Sequence, residues 1–394
     1  MSDQNIVIVS AKRTPMGAFL GALAPVTAPD LGAAAARAAI EAAGIQPGDI
    51  QEVILGNVLS AGLGQGPARQ ASLAAGIPVT TPTTTINKLC GSGLKAIMMA
   101  CDQIRSGGAD IMLAGGLESM SNAPYLLPKA RSGYRMGHGE VLDHMFRDGL
   151  NSPWDGQPMG CFADRTAAKY NFSRADQDAF AADSVRKALR AVEAGDFVAE
   201  ITPVTVKGRK GETVVGKDES VFTCDINKIP NLKPAFGKDG TVTAASSSSI
   251  NDGAAAVVLM RESVAIAKGL KPLARILAYA SNSHEPEWFT TAPAGAIRKT
   301  LAKLGWKPND ADLYEINEAF ATVTMAAIRD VDLDPAHVNV FGGACALGHP
   351  IGATGARLVT TLVHALHRRD VKRGIASLCI GGGEAVAIAV EKWS

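Results

Sequence analysis

Two cysteines occur at positions where a thiol could act as a nucleophile or a base. Cys90 follows a β-branched run and precedes Gly91-Ser92-Gly93, which predicts a strand, a tight turn and a helix that begins at the cysteine. The free amides and positive dipole end of a helix N-terminus stabilise a thiolate, so we expect a lowered thiol pKa at Cys90. Cys379 ends an apolar strand that runs into three glycines, whose backbone amides can face a developing oxyanion.

An imidazole and an amide lie at two further junctions between loops or strands and helices. His349 lies in a glycine-rich segment just before Pro350, a residue suited to the first position of a helix, and its ring could act as a base for a thiol. Asn317 follows an apolar strand, where it could also be only a helix cap. A buried apolar role remains the alternative for any single cysteine. Together the two thiols, the imidazole and the amide form a set that nucleophilic acyl transfer can use.

The elements that must position these residues follow an α/β pattern. Short β-branched runs alternate with Ala-rich helical stretches, which predicts mainly parallel strands. The first strand is predicted at 6–10, and the next at 52–58. Between them, Asp30 is predicted to cap a helix that runs through Ala43 and ends at Gly44, because glycine permits the left-handed turn.

The chain also carries an internal repeat. At an offset of 261 residues, the pattern Gly-x-x-Pro-x-Asp at 44–49 recurs at 305–310, in both places between an Ala-rich helix and an apolar strand. The same offset places Gly91 on Gly352, and one more residue places Ser92-Gly93 on Thr354-Gly355. These matches predict two similar α/β halves.

The segment from about 120 to 250 differs from both halves. It is rich in proline and glycine and has few helical stretches, so it is predicted to be an excursion between the halves. Within it, Ser173 and Asp176 have the spacing of a capping box that opens a helix towards Gly195. The serine run 246–249 precedes an apolar strand and is interpreted as an ordered loop whose hydroxyls could bind a ligand.

Composition and charge exclude several classes of protein. The 394 residues carry a net charge of +1, with 47% hydrophobic and 20% charged residues, so neither nucleic acid nor an anionic membrane is an expected partner. The apolar runs are shorter than a membrane span, and the start of the chain lacks an export signal, so a cytoplasmic protein is expected. The six cysteines have no paired spacing, which argues against a disulfide framework or a zinc site. The glycines at 381–383 match neither a P-loop nor a dinucleotide fingerprint.

Five motifs, in this order along the chain, resemble those of the thiolase family. They are Asn87–Gly93, Gly115–Ser121, Asn317–Phe320, Gly348–Pro350 and Cys379–Gly383. The resemblance extends from the first strand to the last, and the closest likeness is to the short-chain branch, the acetyl-CoA acetyltransferases. It implies the thiolase fold: two similar five-layered α/β halves with an inserted loop domain that covers coenzyme A. The implied domains are 1–119 plus 251–271, the loop domain 120–250, and 272–394.

The resemblance also implies a mechanism. Cys90 would attack an acyl-CoA thioester while His349 takes the thiol proton, which gives an acyl-enzyme. Cys379 would then remove an α-proton from a second acetyl-CoA, whose carbanion attacks the acyl group to give acetoacetyl-CoA. His349 and a water held by Asn317 would stabilise the oxyanion on the thioester oxygen of the incoming acetyl-CoA. The backbone amides of Cys90 and Gly381 would stabilise the oxyanion of the tetrahedral centre at Cys90.

Substrate contacts are implied at five further positions. Ser248 matches a serine that contacts the pantetheine arm, Leu150 and Met159 match positions that line the acyl pocket, and Ala319 and Phe320 belong to the motif after Asn317. A methionine in that pocket would favour short acyl groups by its volume. The ligands implied are acetyl-CoA, acetoacetyl-CoA and CoA as substrates and products, with no tightly bound cofactor and no metal. A homotetramer, a dimer of dimers, is the implied assembly.

Two alternatives remain open from the sequence. A 3-ketoacyl-CoA thiolase that accepts longer chains in fatty-acid breakdown would share every catalytic residue. A non-catalytic relative that binds CoA esters or lipids would be expected to lack Cys90, His349 or Cys379, and none is missing. A ketoacyl-carrier-protein synthase would use one cysteine and two histidines, which the second thiol argues against.

Overall fold

The computed structural model describes residues 5–208 and 211–393, and it confirms the α/β architecture predicted from the sequence. The first four residues, on which the prediction about export partly rests, lie outside that range. The strands are β1 Ile6–Arg13, β2 Gly17–Ala18, β3 Glu52–Gly56, β4 Thr83–Ile86, β5 Ile111–Ser119, β6 Tyr125–Leu126, β7 Leu142–Asp143, β8 Val204–Gly208, β9 Gly211–Val215, β10 Asn251–Arg261, β11 Ala274–Ser283, β12 Leu313–Ile316, β13 Arg373–Ile380 and β14 Glu384–Lys392.

Ten α-helices accompany the strands of the described residues. They are α1 Ala28–Ala42, α2 Pro67–Ala74, α3 Ser92–Arg105, α4 Met159–Tyr170, α5 Arg174–Ala194, α6 Glu262–Ala267, α7 Ala292–Leu304, α8 Ala321–Val331, α9 Ala344–Leu347 and α10 Thr354–Arg369. Short helical turns occupy Pro47–Asp49, Ser220–Phe222, Ile226–Asn231, Pro286–Thr291, Pro308–Asp310 and Pro335–His337, and a π-helical turn occupies Phe146–Leu150.

Nine of the strands form one continuous sheet in the order β12-β13-β14-β11-β1-β10-β5-β3-β4, to which β2 adds by pairing with β10. The strands at the centre are buried on both faces, because alternate residues enter different cores. Ala255, Val257 and Leu259 of β10 pack in the inner core, whereas Ala254, Ala256, Val258 and Met260 pack in the outer core under α1 and α2. The antiparallel contact of β1 with β11 at Ile6–Ile8 joins the two halves.

Most strand pairs in the described sheet are antiparallel, so the prediction of mainly parallel strands is wrong. The parallel pairs are β3 with β4, β3 with β5, and β12 with β13. Helices connect the parallel strands of the first half, as crossover connections require. By contrast, β14 returns from β13 through a tight glycine turn, and β10 enters after the long excursion, so both run antiparallel to their neighbours.

Five layers result from the two halves together. The inner core holds α3 and α10 between the two parts of the sheet, while α1 and α2 cover one outer face and α7 and α8 the other. The two central helices meet at glycines. A Cβ atom built on Gly93 would lie 2.8 Å from the Ala356 nitrogen, and one on Gly355 would lie 2.4 Å from the Leu94 nitrogen. Glycine at both positions therefore permits the close contact that sets the relative position of α3 and α10.

The repeated Gly-x-x-Pro-x-Asp pattern folds the same way in both halves. Gly44 and Gly305 end their helices with left-handed φ values of 68° and 66°. Each is followed by a short helical turn whose aspartate accepts a hydrogen bond from the backbone three residues earlier, at 2.8 Å for Asp49 and 2.7 Å for Asp310. A strand follows in both places. The end of the helix, the turn and the start of the strand therefore have the same local structure in both halves, as the repeat predicts.

Element boundaries differ from the predictions by a few residues. Thr27, not Asp30, caps α1, because the Thr27 hydroxyl accepts the Asp30 N–H at 3.3 Å and Asp30 lies in the first turn. Strand β1 ends at Arg13, beyond the predicted end at 10, and β3 ends at Gly56, before the predicted end at 58. The capping box at Ser173 is confirmed, and α5 ends at Gly195 with φ 73°.

The segment 120–250 contributes no strand to the main sheet. Its described strands form two separate two-stranded sheets, β6 with β7 and β8 with β9, beside α4 and α5. The serine run 246–249 is an ordered loop that leads into β10, as predicted. No helix in the described parts of the chain is both long and apolar enough to cross a membrane.

Candidate active site

Cys90 lies in a strained turn between β4 and α3. Leu89 takes a left-handed φ of 47°, which is uncommon for a side chain of this kind and turns the chain sharply before Cys90. The Ser92 hydroxyl accepts the Lys88 N–H at 2.8 Å and donates to the Leu89 carbonyl at 2.7 Å, so it holds the turn closed. The helix begins at Ser92 with Gly91 as its cap, two residues later than predicted.

The Cys90 thiol is half-buried and faces two backbone donors. Burial raises the pKa of Cys90 to about 11, and the nearby Glu118 acts in the same direction. The N–H groups of Gly381 and of Cys90 itself point at the sulfur and act to lower the pKa, but burial outweighs them. The prediction of a lowered pKa is therefore wrong in direction. The resting group is a thiol, and a base must take its proton.

His349 has the protonation state that such a base requires. Its ring is buried, and Nδ1 lies 2.6 Å from the Thr354 hydroxyl, which donates its own proton to the Pro350 carbonyl at 2.9 Å. The hydroxyl must then accept from Nδ1, so the proton is assigned to Nδ1 and the lone pair to Nε2. Burial, followed by the charge of Arg357, lowers the pKa of His349 to about 3. The ring is therefore neutral, and Nε2 is buried without a hydrogen-bond partner among the described residues.

Asn317 and Cys379 lie at the ends of neighbouring strands. Ile316 pairs with Ser377 in the parallel ladder of β12 and β13, and the Asn317 N–H donates to the Ser377 carbonyl at 3.0 Å. The oxygen and the nitrogen of the Asn317 side-chain amide are both buried and have no hydrogen-bond partner within residues 5–208 and 211–393. Cys379 is fully buried, and burial, followed by the nearby Cys90, raises its pKa well above the usual value. A negative charge on Cys90 therefore disfavours one on Cys379.

Glu118 connects the loop after β3 with the loop after His349. Its buried carboxylate accepts the N–H of Val58 at 3.0 Å, of Leu59 at 3.1 Å and of Gly352 at 2.9 Å. Ile351, next to Gly352, packs in one apolar cluster with Cys90. Burial raises the pKa of Glu118 to about 7 although these donors lower it. The carboxylate therefore holds the loop after His349 against the half of the molecule that supplies Cys90.

The residues predicted to contact substrate fall into two groups. Ala319, Phe320 and Met159 pack with Cys379 in one apolar cluster, and Phe320 contacts Phe236 edge to face at 5.8 Å between ring centroids. The Ser248 N–H donates to the Ala319 carbonyl at 3.0 Å, so the serine loop runs beside this cluster. Leu150 belongs to a different apolar cluster, the one that Cys90 also packs against.

A cavity of about 220 Å³ opens beside the turns that contain Leu89 and Gly381. The Met159 sulfur lies 3.7 Å from the position of a Cβ atom on Gly381, so the methionine borders the space next to the N–H donor. The residues that line the cavity are Leu89, Arg147, Asp148, Gly149, Asn151, Pro153, Trp154, Met159, Gly381 and Gly382. The described residues contain no group of three or more His, Cys, Asp and Glu side chains that could hold a metal ion.

Sequence reasoning missed three contributors to this arrangement. Thr354 orients His349, and its place five residues after the histidine in a helix start is a signal that could have found it. Glu118 lies in the motif Gly115–Ser121, but no role was predicted for it. Trp154 borders the cavity from an exposed loop, and no spacing rule indicates it.

Comparison with known proteins gives consistent matches along the whole chain. Family models described as thiolase N-terminal and C-terminal domains match residues 6–263 and 270–392. Acetyl-CoA acetyltransferase of Pseudomonas aeruginosa is 50% identical over 99% of this chain and 100% of the relative. The protein of the same name from Escherichia coli is also 50% identical, over 99% of each chain.

Solved structures agree with these matches. The coenzyme A complex of Acat5 thiolase from Ascaris suum has a TM-score of 0.93 and 45% identity, covering 98% of this chain and 100% of that one. Acetyl-CoA acetyltransferase from Bacillus anthracis has a TM-score of 0.96 and 44% identity, covering 98% of each chain.

Proposed function

The chain belongs to the thiolase family, and we propose that it catalyses the reversible Claisen condensation of two acetyl-CoA molecules to acetoacetyl-CoA and CoA, as an acetyl-CoA C-acetyltransferase. One observation carries the proposal: Cys90 lies near enough to Cys379 to raise its pKa, and a neutral His349, two residues before Ile351 of the Cys90 cluster, has a buried Nε2 without a partner among the described residues. A site that only bound CoA esters would need neither a second thiol nor an oriented base.

The first half-reaction transfers an acetyl group to Cys90. His349 Nε2 takes the thiol proton as the sulfur attacks the thioester carbonyl, and the same proton then leaves with CoA as its thiol. The N–H groups of Cys90 and Gly381 are proposed to stabilise the tetrahedral oxyanion, because both lie beside the sulfur that receives the acetyl group. Removing one donor of this kind typically costs about 3–4 kcal/mol of barrier.

The second half-reaction forms the carbon–carbon bond. His349 takes the proton of the Cys379 thiol, the resulting thiolate removes a proton from the methyl carbon of a second acetyl-CoA, and the carbanion attacks the acetyl group on Cys90. Cys90 leaves as a thiolate and receives the proton that His349 holds, so the site returns to its starting state with both cysteines as thiols. The enolate oxygen is met by His349 and by a water that the Asn317 amide holds. Both atoms of that amide are buried and available.

Met159 supports a preference for short acyl groups. Its sulfur borders the space beside Gly381, and it packs in the cluster of Cys379, so a longer acyl chain would have to displace it. The competing function is a 3-ketoacyl-CoA thiolase with a broader chain-length range, which would use the same catalytic residues.

In the proposed reaction, coenzyme A carries the substrates and is not a resident cofactor. Ser248, Ala319 and Phe320 are proposed to contact its pantetheine arm, with Leu150 and Met159 beside the acyl group. The domain division 1–119 plus 251–271, 120–250 and 272–394 is proposed on the observation that 120–250 stays outside the main sheet. In this division the middle domain covers the CoA.

A homotetramer in the cytoplasm is the proposed setting. Large apolar side chains are exposed along 125–146, among them Met136 at 95% and Tyr125 at 67%, which supports burial of this segment between subunits. All six cysteines are free thiols, which supports a reducing compartment. Sedimentation velocity tests the assembly: a monomer at micromolar concentration would contradict it.

The function is tested by CoA-dependent cleavage of 3-ketoacyl-CoA esters from four carbons upward, with loss of the ketoester and formation of acetyl-CoA both recorded. Cleavage confined to the shortest members is the expected result. Broad activity would favour the longer-chain thiolase, and no cleavage of any member would refute an acyltransferase.

A further inference from the structure

An ion pair joins the two turns that carry the N–H donors at Cys90. Lys88 Nζ lies 2.5 Å from Glu384 Oε2, across 296 positions of sequence. Lys88 belongs to the turn before α3, and Glu384 is the first residue of β14, directly after the glycine turn that contains Gly381. Each turn comes from a different half of the protein, so this pair is a direct polar link between the halves, two residues before Cys90 in the chain.

Both partners are anchored by further contacts. Ser283 Oγ donates to the other carboxylate oxygen of Glu384 at 3.1 Å, and these two residues pair in the ladder of β11 and β14. The Lys88 N–H donates to the Ser92 hydroxyl at 2.8 Å. The ion pair therefore connects two fixed points and not two loose side chains.

Two further contacts between the turns are apolar. The Leu89 side chain lies 3.4 Å from the position of a Cβ atom on Gly381, and the Ile380 side chain lies 2.4 Å from that on Gly91. Apolar contacts are not directional, whereas an ion pair with hydrogen bonds on both oxygens fixes a distance and an orientation. Stabilisation of an oxyanion depends on donors held at their final positions before the reaction.

We propose that Lys88 and Glu384 are positioning residues that set the spacing between the Cys90 and Gly381 N–H donors, and that they thereby accelerate acetyl transfer. This inference rests on the proposed function. The lysine is 24% exposed and the glutamate 35%, and ion pairs of such exposure contribute little to global stability. Their effect is therefore expected in the rate and not in folding.

The test compares Lys88→Gln, Glu384→Gln, the double variant and the exchanged pair Lys88→Glu with Glu384→Lys. The matched control is Lys268→Gln, which breaks an ion pair with Asp49 of similar exposure, joining α6 to the turn at 47–49. The readouts are kcat and KM for thiolysis of acetoacetyl-CoA, the single-turnover rate of acetylation by acetyl-CoA, and the midpoint of thermal unfolding.

We expect each single variant to lower kcat and the acetylation rate about tenfold with KM unchanged, because small displacements of reacting groups have effects of this order. The double variant should lose no more than either single variant, and the exchanged pair should regain most of the rate. Unfolding midpoints should match that of Lys268→Gln.

Three results would overturn the positioning role while the wild-type protein stays active. These are a wild-type kcat in either single variant, losses that multiply in the double variant, or a rate loss accompanied by an equal loss of folded protein. An inactive wild-type protein would instead refute the proposed function and this inference with it, so the two failures are distinguishable.

Discussion

The hydrogen bond of the Thr354 hydroxyl leads to a testable prediction about His349, the proposed base. Thr354→Val keeps the shape of the side chain but removes the acceptor that holds His349 Nδ1 at 2.6 Å. The buried Nδ1–H then has no partner, and the ring gains freedom to carry its proton on Nε2, where it can no longer accept the proton of Cys90. We therefore expect slower acetylation of Cys90 with the fold intact.

The magnitude follows from the cost of an unpaired buried donor. Leaving such a group without a partner costs about 1–3 kcal/mol. If that cost falls on the reactive state, the acetylation rate decreases about 5- to 150-fold, since about 1.4 kcal/mol corresponds to a factor of ten. Quenched single-turnover reactions with acetyl-CoA, followed by mass spectrometry of the protein, measure this rate directly.

Two variants make the experiment decisive. Thr360→Val removes the same kind of hydrogen bond, from Thr360 Oγ1 to the Ala356 carbonyl at 3.0 Å, in the same helix but without a histidine. Thr354→Ser retains the hydroxyl and should recover the rate. Equal acetylation rates for Thr354→Val and Thr360→Val would refute the assignment of the tautomer.

Three further predictions concern the pocket, the thiol and the buried charges. Met159→Ala should extend thiolysis to longer 3-ketoacyl-CoA esters, and an unchanged chain-length profile would exclude Met159 as the limit. Because the pKa of Cys90 is raised to about 11, its thiolate fraction and its alkylation by iodoacetamide should rise about tenfold per unit between about pH 7 and 9; a plateau there would indicate an ion pair with His349 instead. Arg13→Ala leaves the fully buried carboxylates of Glu200 and Asp218 unpaired and should lower the free energy of unfolding by about 3–5 kcal/mol in urea, whereas no change would contradict their pairing.

The candidate site was predictable where its signals are local. Cys90, His349, Asn317 and Cys379 each lie at the end of a strand or loop, and residue type plus the strand, turn and helix pattern identify those places without tertiary information. The resemblance then assigned roles to them. The repeated turn at Gly44 and Gly305 was predictable for the same reason, because its glycine, proline and aspartate act within six residues.

The features that depend on tertiary packing were not predictable. The direction of the Cys90 pKa shift depends on burial between the two halves, which outweighs the helix end that the sequence shows. Strand direction depends on how β10 returns after the excursion of 120–250. The contact of Lys88 with Glu384 spans nearly the whole chain, so no spacing rule indicates it.

The central claim is that Cys90 carries the acetyl group and Cys379 forms the carbanion. It is tested most directly by mixing the Cys379→Ala variant with acetyl-CoA and locating the modification by mass spectrometry of its peptides. The account predicts one acetyl group on Cys90, release of CoA and no acetoacetyl-CoA. Acetylation of another residue, or normal condensation by this variant, would contradict it.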